Sequence, residues 1–148
     1  MPDDNGLPYE ITIKVRDACL CLHVQRAARA MARHFDEALR PVALTNGQFS
    51  LLMSLNRPKP PGMGEVAALL AMDRTTLTAN LKPLERRKLL TVSVDESDRR
   101  SRRLALTAAG RALLAKAMPL WESSHAAVER RLAGSDPDRL RADLRVLS

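Results

Sequence analysis

Two short stretches of this sequence gather the side chains best suited to hydrogen bonding and to contact with negative charge. The first stretch combines hydroxyls with cations, in Arg74, Thr75, Thr76, Thr78 and Lys82. Threonine hydroxyls bond phosphates or base edges, while lysine and arginine neutralise phosphate charge. The second stretch is rich in arginine, because four of the five residues from 99 to 103 are arginine. The candidate DNA-binding residues in this second stretch are Asp98, Arg99, Arg100 and Arg102.

The spacing of apolar residues places the first stretch on the exposed face of a helix. Leu77, Leu81 and Leu84 recur at i, i+4 and i+7, which predicts a helix over residues 74–87 with one buried stripe. Asp73 suits the N-cap of this helix, because its carboxylate can accept bonds from the free N–H groups of the first turn. The outward side then carries Thr75, Thr78, Ala79, Lys82 and Arg86.

The second stretch lies at the tip of a predicted hairpin. Residues 90–94 and 103–106 are short runs that favour β-strands, and a further helix is predicted over residues 64–72. The order of helix, helix and arginine-tipped hairpin predicts a winged helix-turn-helix. Its second helix would enter the major groove, and its wing would reach the DNA backbone or the minor groove. The alternative for the tip is a solvated turn with scattered charge.

Amphipathic helices flank this central unit. Apolar residues recur at spacings near three or four over residues 14–39 and again from Thr107 to about residue 133. A capping box of Thr45 and Gln48 predicts a shorter helix over residues 47–55. Asp136 followed by Pro137 then predicts a last, capped helix. We therefore expect a mainly α fold with a small β-hairpin wing, in which a winged helix-turn-helix domain stands on a helical dimerisation pedestal.

The expected domain organisation has four parts. These are a flexible N-terminal arm at 1–13, a dimerisation helix at 14–44, a winged helix-turn-helix DNA-binding domain at 45–107 and dimerisation helices at 108–148. The first long helix has a broad apolar surface, which a second chain covers more easily than this one. Such a homodimer presents two reading heads, and these suit a pseudo-palindromic operator in double-stranded DNA with half-sites roughly 10 bp or a multiple apart.

The composition supports a polyanionic partner and argues against several other classes of protein. The chain has 24 Lys and Arg against 17 Asp and Glu, giving a net charge of +7, which favours nucleic acid or an anionic membrane surface. An aromatic content of 3% disfavours single-strand binding by base stacking. The absence of a long apolar run and of a basic, apolar leader predicts a cytoplasmic protein with no membrane partner. Isolated histidines and the lack of a phosphate loop or nucleophile elbow predict no enzyme, no cofactor and no metal site.

Three segments resemble the MarR family of bacterial winged-helix transcription regulators, and the likeness extends from about residue 18 to 132. They are the segments 44–49, 73–78 with 84–87, and 98–100 with 104–110. The resemblance implies a homodimer that represses transcription by covering its operator, until a small ligand or an oxidant releases it. It also implies that residues 74–78 and Lys82 read the major groove, that Arg100 enters the minor groove, and that Asp98 braces the wing by pairing with an arginine.

The same resemblance suggests two triggers. An inducer pocket between pedestal and reading head would be lined by Gln25, Arg29, Phe49 and Met53. An arginine there favours an anionic, aromatic small molecule. Alternatively, the segment around Cys21 resembles the sensor cysteine of the organic-hydroperoxide branch of the family, where a helix N-terminus stabilises the thiolate. Otherwise Cys21 is a small hydrophobe at the dimer seam. A third reading is a winged helix that serves only protein interaction, without specific DNA binding.

Two positions depart from the family pattern, Pro83 inside the predicted recognition helix and Lys88. Lys88 stands where the family usually has glycine, just after the predicted recognition helix. If the backbone there is left-handed, lysine carries a strain of about 1 kcal/mol relative to glycine.

Overall fold

The computed structural model describes residues 6–148 and divides the chain into two compact units, one ending at His34 and the other running from Phe35 to Ser148. The element order is α1 (Tyr9–Ala18), α2 (Leu20–Leu39), a 3₁₀ turn (Arg40–Val42), α3 (Asn46–Ser54), α4 (Met63–Leu69), α5 (Arg74–Arg86), β1 (Leu90–Val94), β2 (Arg102–Leu106), α6 (Ala108–Arg131) and α7 (Pro137–Val146). The mainly α fold with one small hairpin is therefore confirmed.

The first unit corrects two sequence expectations. Helix α1 begins at Tyr9, so the loose arm predicted for 1–13 is wrong from Tyr9 onward, and residues 1–5 of that arm lie outside the described residues. Pro8 does not interrupt this helix, because it lies at the N-cap and proline is tolerated at the start of a helix. The single helix predicted over 14–39 is also wrong, since Cys19 adopts an extended backbone with ψ of 108° and separates α1 from α2.

The core of the second unit is built on the predicted leucine stripe of α5. Leu77 and Leu84 are fully buried, and Leu81 is nearly so. They join a cluster with Leu52 of α3 and Leu104 of β2, which are likewise fully buried. Burying a leucine side chain contributes about 1.5–3 kcal/mol. The stripe therefore fixes which face of α5 points inward, and its threonine and lysine side chains remain exposed.

The predicted N-caps set where α3 and α6 begin. Thr45 Oγ1 accepts the Gln48 N–H at 3.1 Å, while Gln48 Oε1 accepts the Thr45 N–H at 3.1 Å, which completes the capping box of α3. Thr107 Oγ1 caps α6 by accepting the Gly110 N–H at 3.0 Å. Gly110 has to be glycine, because a Cβ there would lie 2.1 Å from the carbonyl oxygen of Leu89. This close approach docks the start of α6 against the base of the wing.

The wing is an antiparallel pair in which Leu90 faces Leu106 and Val94 faces Arg102. The strands match the predicted hairpin, except that β2 begins one residue earlier, at Arg102. Lys88, between α5 and β1, has a φ of 57°, so the left-handed backbone considered for this position is present. Along residues 6–148, none of the helices is both long and apolar enough to cross a membrane.

Candidate nucleic-acid interface

The N-terminal half of α5 presents the first predicted stretch to solvent. Asp73 caps the helix, because its Oδ1 accepts the Thr76 N–H at 2.7 Å. The Thr76 hydroxyl donates to Asp73 Oδ2 at 2.9 Å. These two bonds, the backbone one first, lower the pKa of Asp73 below its ordinary value, so the cap is ionised at neutral pH. Thr76 is thereby engaged in helix capping, a role that the sequence reading did not assign to it.

A shallow depression of about 360 Å³ runs along the exposed face of α5. Its lining is formed by Arg74, Thr75, Thr78, Ala79 and Lys82. The Thr78 hydroxyl donates to the Arg74 carbonyl oxygen at 2.8 Å, which leaves its oxygen as an outward acceptor. This surface therefore offers hydrogen-bonding groups flanked by two cations, as the sequence pattern predicted.

The tip of the wing is organised by Asp98, in a way that differs from the expectation. Asp98 Oδ1 accepts the Arg100 N–H at 3.0 Å, and its Oδ2 accepts the Ser101 hydroxyl at 3.1 Å. Asp98 therefore braces the tip through a main-chain amide and a hydroxyl. The predicted pairing of Asp98 with an arginine side chain is wrong within the described residues, since Asp95 forms that pair instead.

A cleft of about 480 Å³ lies between the start of α4, the start of α5 and the wing; we call it the reading cleft. It is lined by Gly62, Met63, Gly64, Glu65, Arg74, Thr78, Asp95, Arg100, Ser101, Arg102 and Arg103. The structure therefore brings Arg74 and Thr78 of the first predicted stretch together with Arg100 and Arg102 of the second. Arg99 and Lys82 are exposed but lie outside this cleft.

Sequence reasoning missed the ion pair at the base of the wing. Arg103 Nε donates to Asp95 Oδ2 at 2.6 Å. Asp95 is 8% exposed. Its pKa is lowered to about 2, chiefly by hydrogen bonds from the backbone and hydroxyl of Ser97 and then by Arg103. An acid just after β1 and an arginine near the start of β2 would have indicated this pair, because antiparallel strands bring those ends together.

A separate, apolar cavity of about 430 Å³ lies between α3, the end of α4 and α6. It is lined by Phe49, Ser50, Met53, Ser54, Leu69, Met118 and Trp121. The predicted pocket residues Phe49 and Met53 thus share one cavity. The sequence reading missed Trp121, whose ring is stacked 6.3 Å from that of Phe49 and 4.6 Å from that of His125. No charged side chain belongs to the described lining.

The remaining candidates lie on α2 in the first unit, where Gln25, Arg29 and Cys21 are all exposed. The Gln25 side-chain amide donates to Cys21 Sγ at 3.3 Å. Cys19 is partly buried at the break before α2, and its Sγ accepts the Leu22 N–H at 3.4 Å. In the part of the chain from residue 6 onward, no three His, Cys, Asp or Glu side chains are grouped so that they could hold a metal ion.

Comparison with known proteins assigns this architecture. The MarR family model matches residues 44–101. The HTH-type transcriptional repressor NicR of Pseudomonas putida is 32% identical over 121 residues, which cover 80% of this chain and 71% of NicR. The transcriptional regulator MosR of M. tuberculosis, solved in complex with DNA, is 43% identical with a TM-score of 0.79, over 87% of this chain and 92% of MosR.

The transcriptional repressor CouR has the same fold in two structures. Bound to a 23-mer DNA duplex, it is 33% identical with a TM-score of 0.72, over 90% of this chain and 92% of CouR. Bound to p-coumaroyl-CoA, it is 30% identical with a TM-score of 0.76, over 90% and 94% of the two chains. With a winged helix-turn-helix in place and relatives matched over most of both chains, the protein belongs to the MarR family of transcriptional regulators.

Proposed function

We propose that this protein is a homodimeric transcriptional repressor that binds a pseudo-palindromic operator in double-stranded DNA. The observation that carries the proposal is the reading cleft, where Arg74 and Thr78 of α5 share one concave surface with Arg100 and Arg102 of the wing. Hydroxyls and cations arranged on a helix and a hairpin are the groups that contact base edges and phosphates. The likeness to a repressor and to two regulators solved with DNA supports the same role.

In this proposal the residues divide by what they contact. Thr75, Thr78 and Lys82 on the outward face of α5 enter the major groove, together with Arg74. Arg100 inserts into the minor groove, and Arg99 and Arg102 neutralise phosphates beside it. Thr76 and Asp98 act indirectly, because their side chains hold the start of α5 and the wing tip in shape.

The proposed dimer uses the segments 14–44 and 108–148. Large apolar side chains remain exposed on both: Val15, Leu20, Val24, Met31, Leu140, Leu144 and Leu147. Apolar surface of this extent on the single chain is what a subunit interface would cover. Analytical ultracentrifugation tests this part, with a dimer as the expected result. A chain that is monomeric at micromolar concentration contradicts it.

The DNA-binding proposal is tested with an operator selected from a random duplex library by the purified protein. Fluorescence anisotropy across a salt series then measures affinity for that operator and for random DNA. Arg100→Ala should weaken operator binding by about 1–3 kcal/mol. Lys82→Ala should weaken both duplexes and reduce the salt slope by about one unit.

The matched control is Lys59→Ala, which removes the same charge from the exposed loop between α3 and α4, outside the reading cleft and outside the segments of the proposed dimer. This variant should bind both duplexes nearly as the wild type does. If Arg100→Ala and Lys82→Ala also bind like Lys59→Ala, the assigned DNA-contacting surface is wrong. Weak, salt-independent binding to every duplex would instead favour the alternative of a protein-interaction module.

A small aromatic ligand is the proposed trigger for release. The cavity beside Phe49 and Trp121 supports it, because a stacked ring and apolar walls suit a planar ligand. CouR, which is similar to this chain, is solved with p-coumaroyl-CoA. Thermal shift against a panel of aromatic carboxylates is the first measurement, since a ligand that binds the folded state raises the melting temperature. Loss of affinity in Arg29→Ala or Gln25→Ala would extend the site to α2.

Oxidation is the second proposed trigger. Cys21 is exposed in the first turn of α2, where a peroxide in solution can reach its thiol. Organic hydroperoxide would oxidise this thiol and release the operator. Release that persists in Cys21→Ser refutes this trigger and leaves DNA binding untouched.

A further inference from the structure

Arg103 is the most connected cation of the wing, although it belongs to the same arginine run as the proposed DNA contacts. Its Nε donates to Asp95 Oδ2 at 2.6 Å, and its Nη1 donates to the Pro60 carbonyl oxygen at 3.3 Å. The same Nη1 lies 3.8 Å from Glu65 Oε1. Its backbone also forms an isolated β-bridge with Gly62. One guanidinium therefore joins the wing to the loop before α4 and to α4 itself.

Asp95 ties this guanidinium to both arms of the wing tip. Its Oδ1 accepts the N–H and the hydroxyl of Ser97, each at 2.8 Å. Its own N–H donates to the Ser101 carbonyl oxygen at 3.0 Å. The side chain is only 10% exposed, so water competes little for these bonds. Because its pKa is about 2, the carboxylate is ionised at every pH at which the protein would meet DNA.

Glu65 continues the connection away from the wing. Its Oε1 accepts the Gly62 N–H at 3.3 Å, and its Oε2 accepts a bond from Arg57 Nη1 at 3.1 Å. The β2 backbone adds a further link, since the Leu104 N–H donates to the Pro61 carbonyl oxygen at 2.9 Å. The wing is thus fastened to the α3–α4 loop by main-chain bonds and by a chain of alternating charges.

We infer that Asp95 and Arg103 are positioning residues that hold the wing at the angle at which Arg100 and Arg102 face the reading cleft, an inference that rests on the proposed function. Arg103 serves DNA binding through this placement, because its guanidinium is committed to Asp95, Pro60 and Glu65. Charged hydrogen bonds are directional, so a hub of this kind sets an angle as well as a distance.

The inference predicts an effect opposite in sign to simple electrostatics. Asp95→Asn removes a negative charge beside the reading cleft, so charge considerations favour tighter binding to DNA. Loss of the pair to Arg103 instead loosens the wing and displaces Arg100. Full loss of a groove contact corresponds to about 5–150-fold in affinity, so we expect Asp95→Asn to weaken operator binding about tenfold.

Glu96→Gln is the matched control, because it makes the same charge change on the same wing. Its exposed side chain takes part in no hydrogen bond or ion pair among residues 6–148. We expect this variant to bind the selected operator at least as tightly as the wild type. The salt slope should fall by about one unit or more in Asp95→Asn, as the wing arginines leave the phosphates, and should stay unchanged in Glu96→Gln. Equal binding by the two variants overturns the inference.

A third variant holds net charge constant. Arg103→Lys keeps the charge but cannot reproduce the guanidinium geometry. We expect Arg103→Lys to weaken operator binding by several-fold relative to the wild type. The double variant with Asp95→Asn should be no weaker than the weaker single variant, since both changes break one contact. Additive losses contradict a shared positioning role.

Amide hydrogen exchange measures how readily the backbone of the wing opens in the absence of DNA. Its result therefore tests this inference separately from the proposed function. Amides of residues 97–101 should exchange faster in Asp95→Asn and Arg103→Lys than in Glu96→Gln and the wild type, while those of α6 stay protected. A wild-type chain that selects no operator refutes the proposed function, whatever the exchange result. Faster exchange with unchanged operator affinity overturns the inference, because an ordered wing would then contribute nothing to binding.

Discussion

Replacing Lys88 by glycine should stabilise the fold, although it removes a charged side chain. Two main-chain bonds end α5 around this residue: the Lys88 N–H donates to the Glu85 carbonyl at 2.9 Å and the Leu89 N–H to the Leu84 carbonyl at 3.0 Å. This pair of bonds is a Schellman motif, whose left-handed position is usually glycine. Lys88 occupies that position with a φ of 57°.

The magnitude follows from two opposing terms. A left-handed backbone costs an L-residue about 1–2 kcal/mol, and glycine avoids this cost. Glycine loses more conformational freedom on folding, which lowers this gain by about 0.5–1 kcal/mol. The expected net gain in the free energy of unfolding is therefore roughly 0.5–1 kcal/mol. In a chain of this size the melting temperature would rise by about 1–4 °C.

Three controls separate backbone strain from loss of the side chain. Lys88→Ala keeps the strain and should be nearly neutral. Ala71→Gly relieves the same strain without changing charge, since Ala71 ends α4 in a similar motif with a φ of 50°. Lys116→Gly, inside α6, should destabilise by about 1 kcal/mol. Chemical denaturation at one protein concentration measures all four, and the reasoning is refuted if Lys88→Gly is no more stable than Lys88→Ala.

Three further predictions test other parts of the second unit. Gly110→Ala should lower the free energy of unfolding by about 1–3 kcal/mol, because its Cβ would meet the Leu89 carbonyl oxygen at 2.1 Å; denaturation measures this. Asp36→Asn should flatten the acid limb of a stability–pH curve. The hydrogen bonds from Asn46 lower the pKa of Asp36, so the stability that they contribute is present above about pH 4 and is lost as pH falls below it. Trp121→Leu should weaken binding of an aromatic carboxylate identified by thermal shift about two- to tenfold, as measured by calorimetry.

Interactions between residues close together in the chain explain why α5 could be predicted so closely from the sequence. The cap at Asp73, the buried stripe of Leu77, Leu81 and Leu84, and the left-handed turn at Lys88 each depend on residues within a few positions of one another. The spacing of these residues therefore determines both the limits of α5 and its outward face. Those parts of the candidate interface were confirmed as surface positions, while their contacts with DNA stay a prediction.

The errors of sequence reading involve residues that are distant or that carry no local pattern. The link from Arg103 to Pro60 and Glu65 spans about 40 residues and cannot be read from periodicity. The break at Cys19 falls within a run of apolar residues that would continue a helix equally well. Trp121 was missed for the same reason as Arg103, because its cavity partners lie on α3, far along the chain.

The position of the apolar cavity matters because a ligand can bias DNA binding only if it interacts differently with two arrangements of the reading head. Leu69 lines the cavity and is 61% exposed, and it ends α4 four residues before Asp73 caps α5. At the far end of α5, Arg87 Nη1 donates to the Ala43 carbonyl oxygen at 2.7 Å, which ties α5 to the turn before α3. The start of α5 is thus connected to α4, which lines the cavity, and its end is bonded to the turn that comes before α3. If the proposed trigger ligand binds in this cavity and displaces Leu69, we expect it to act on the start of α5 and to change the angle of this helix to DNA.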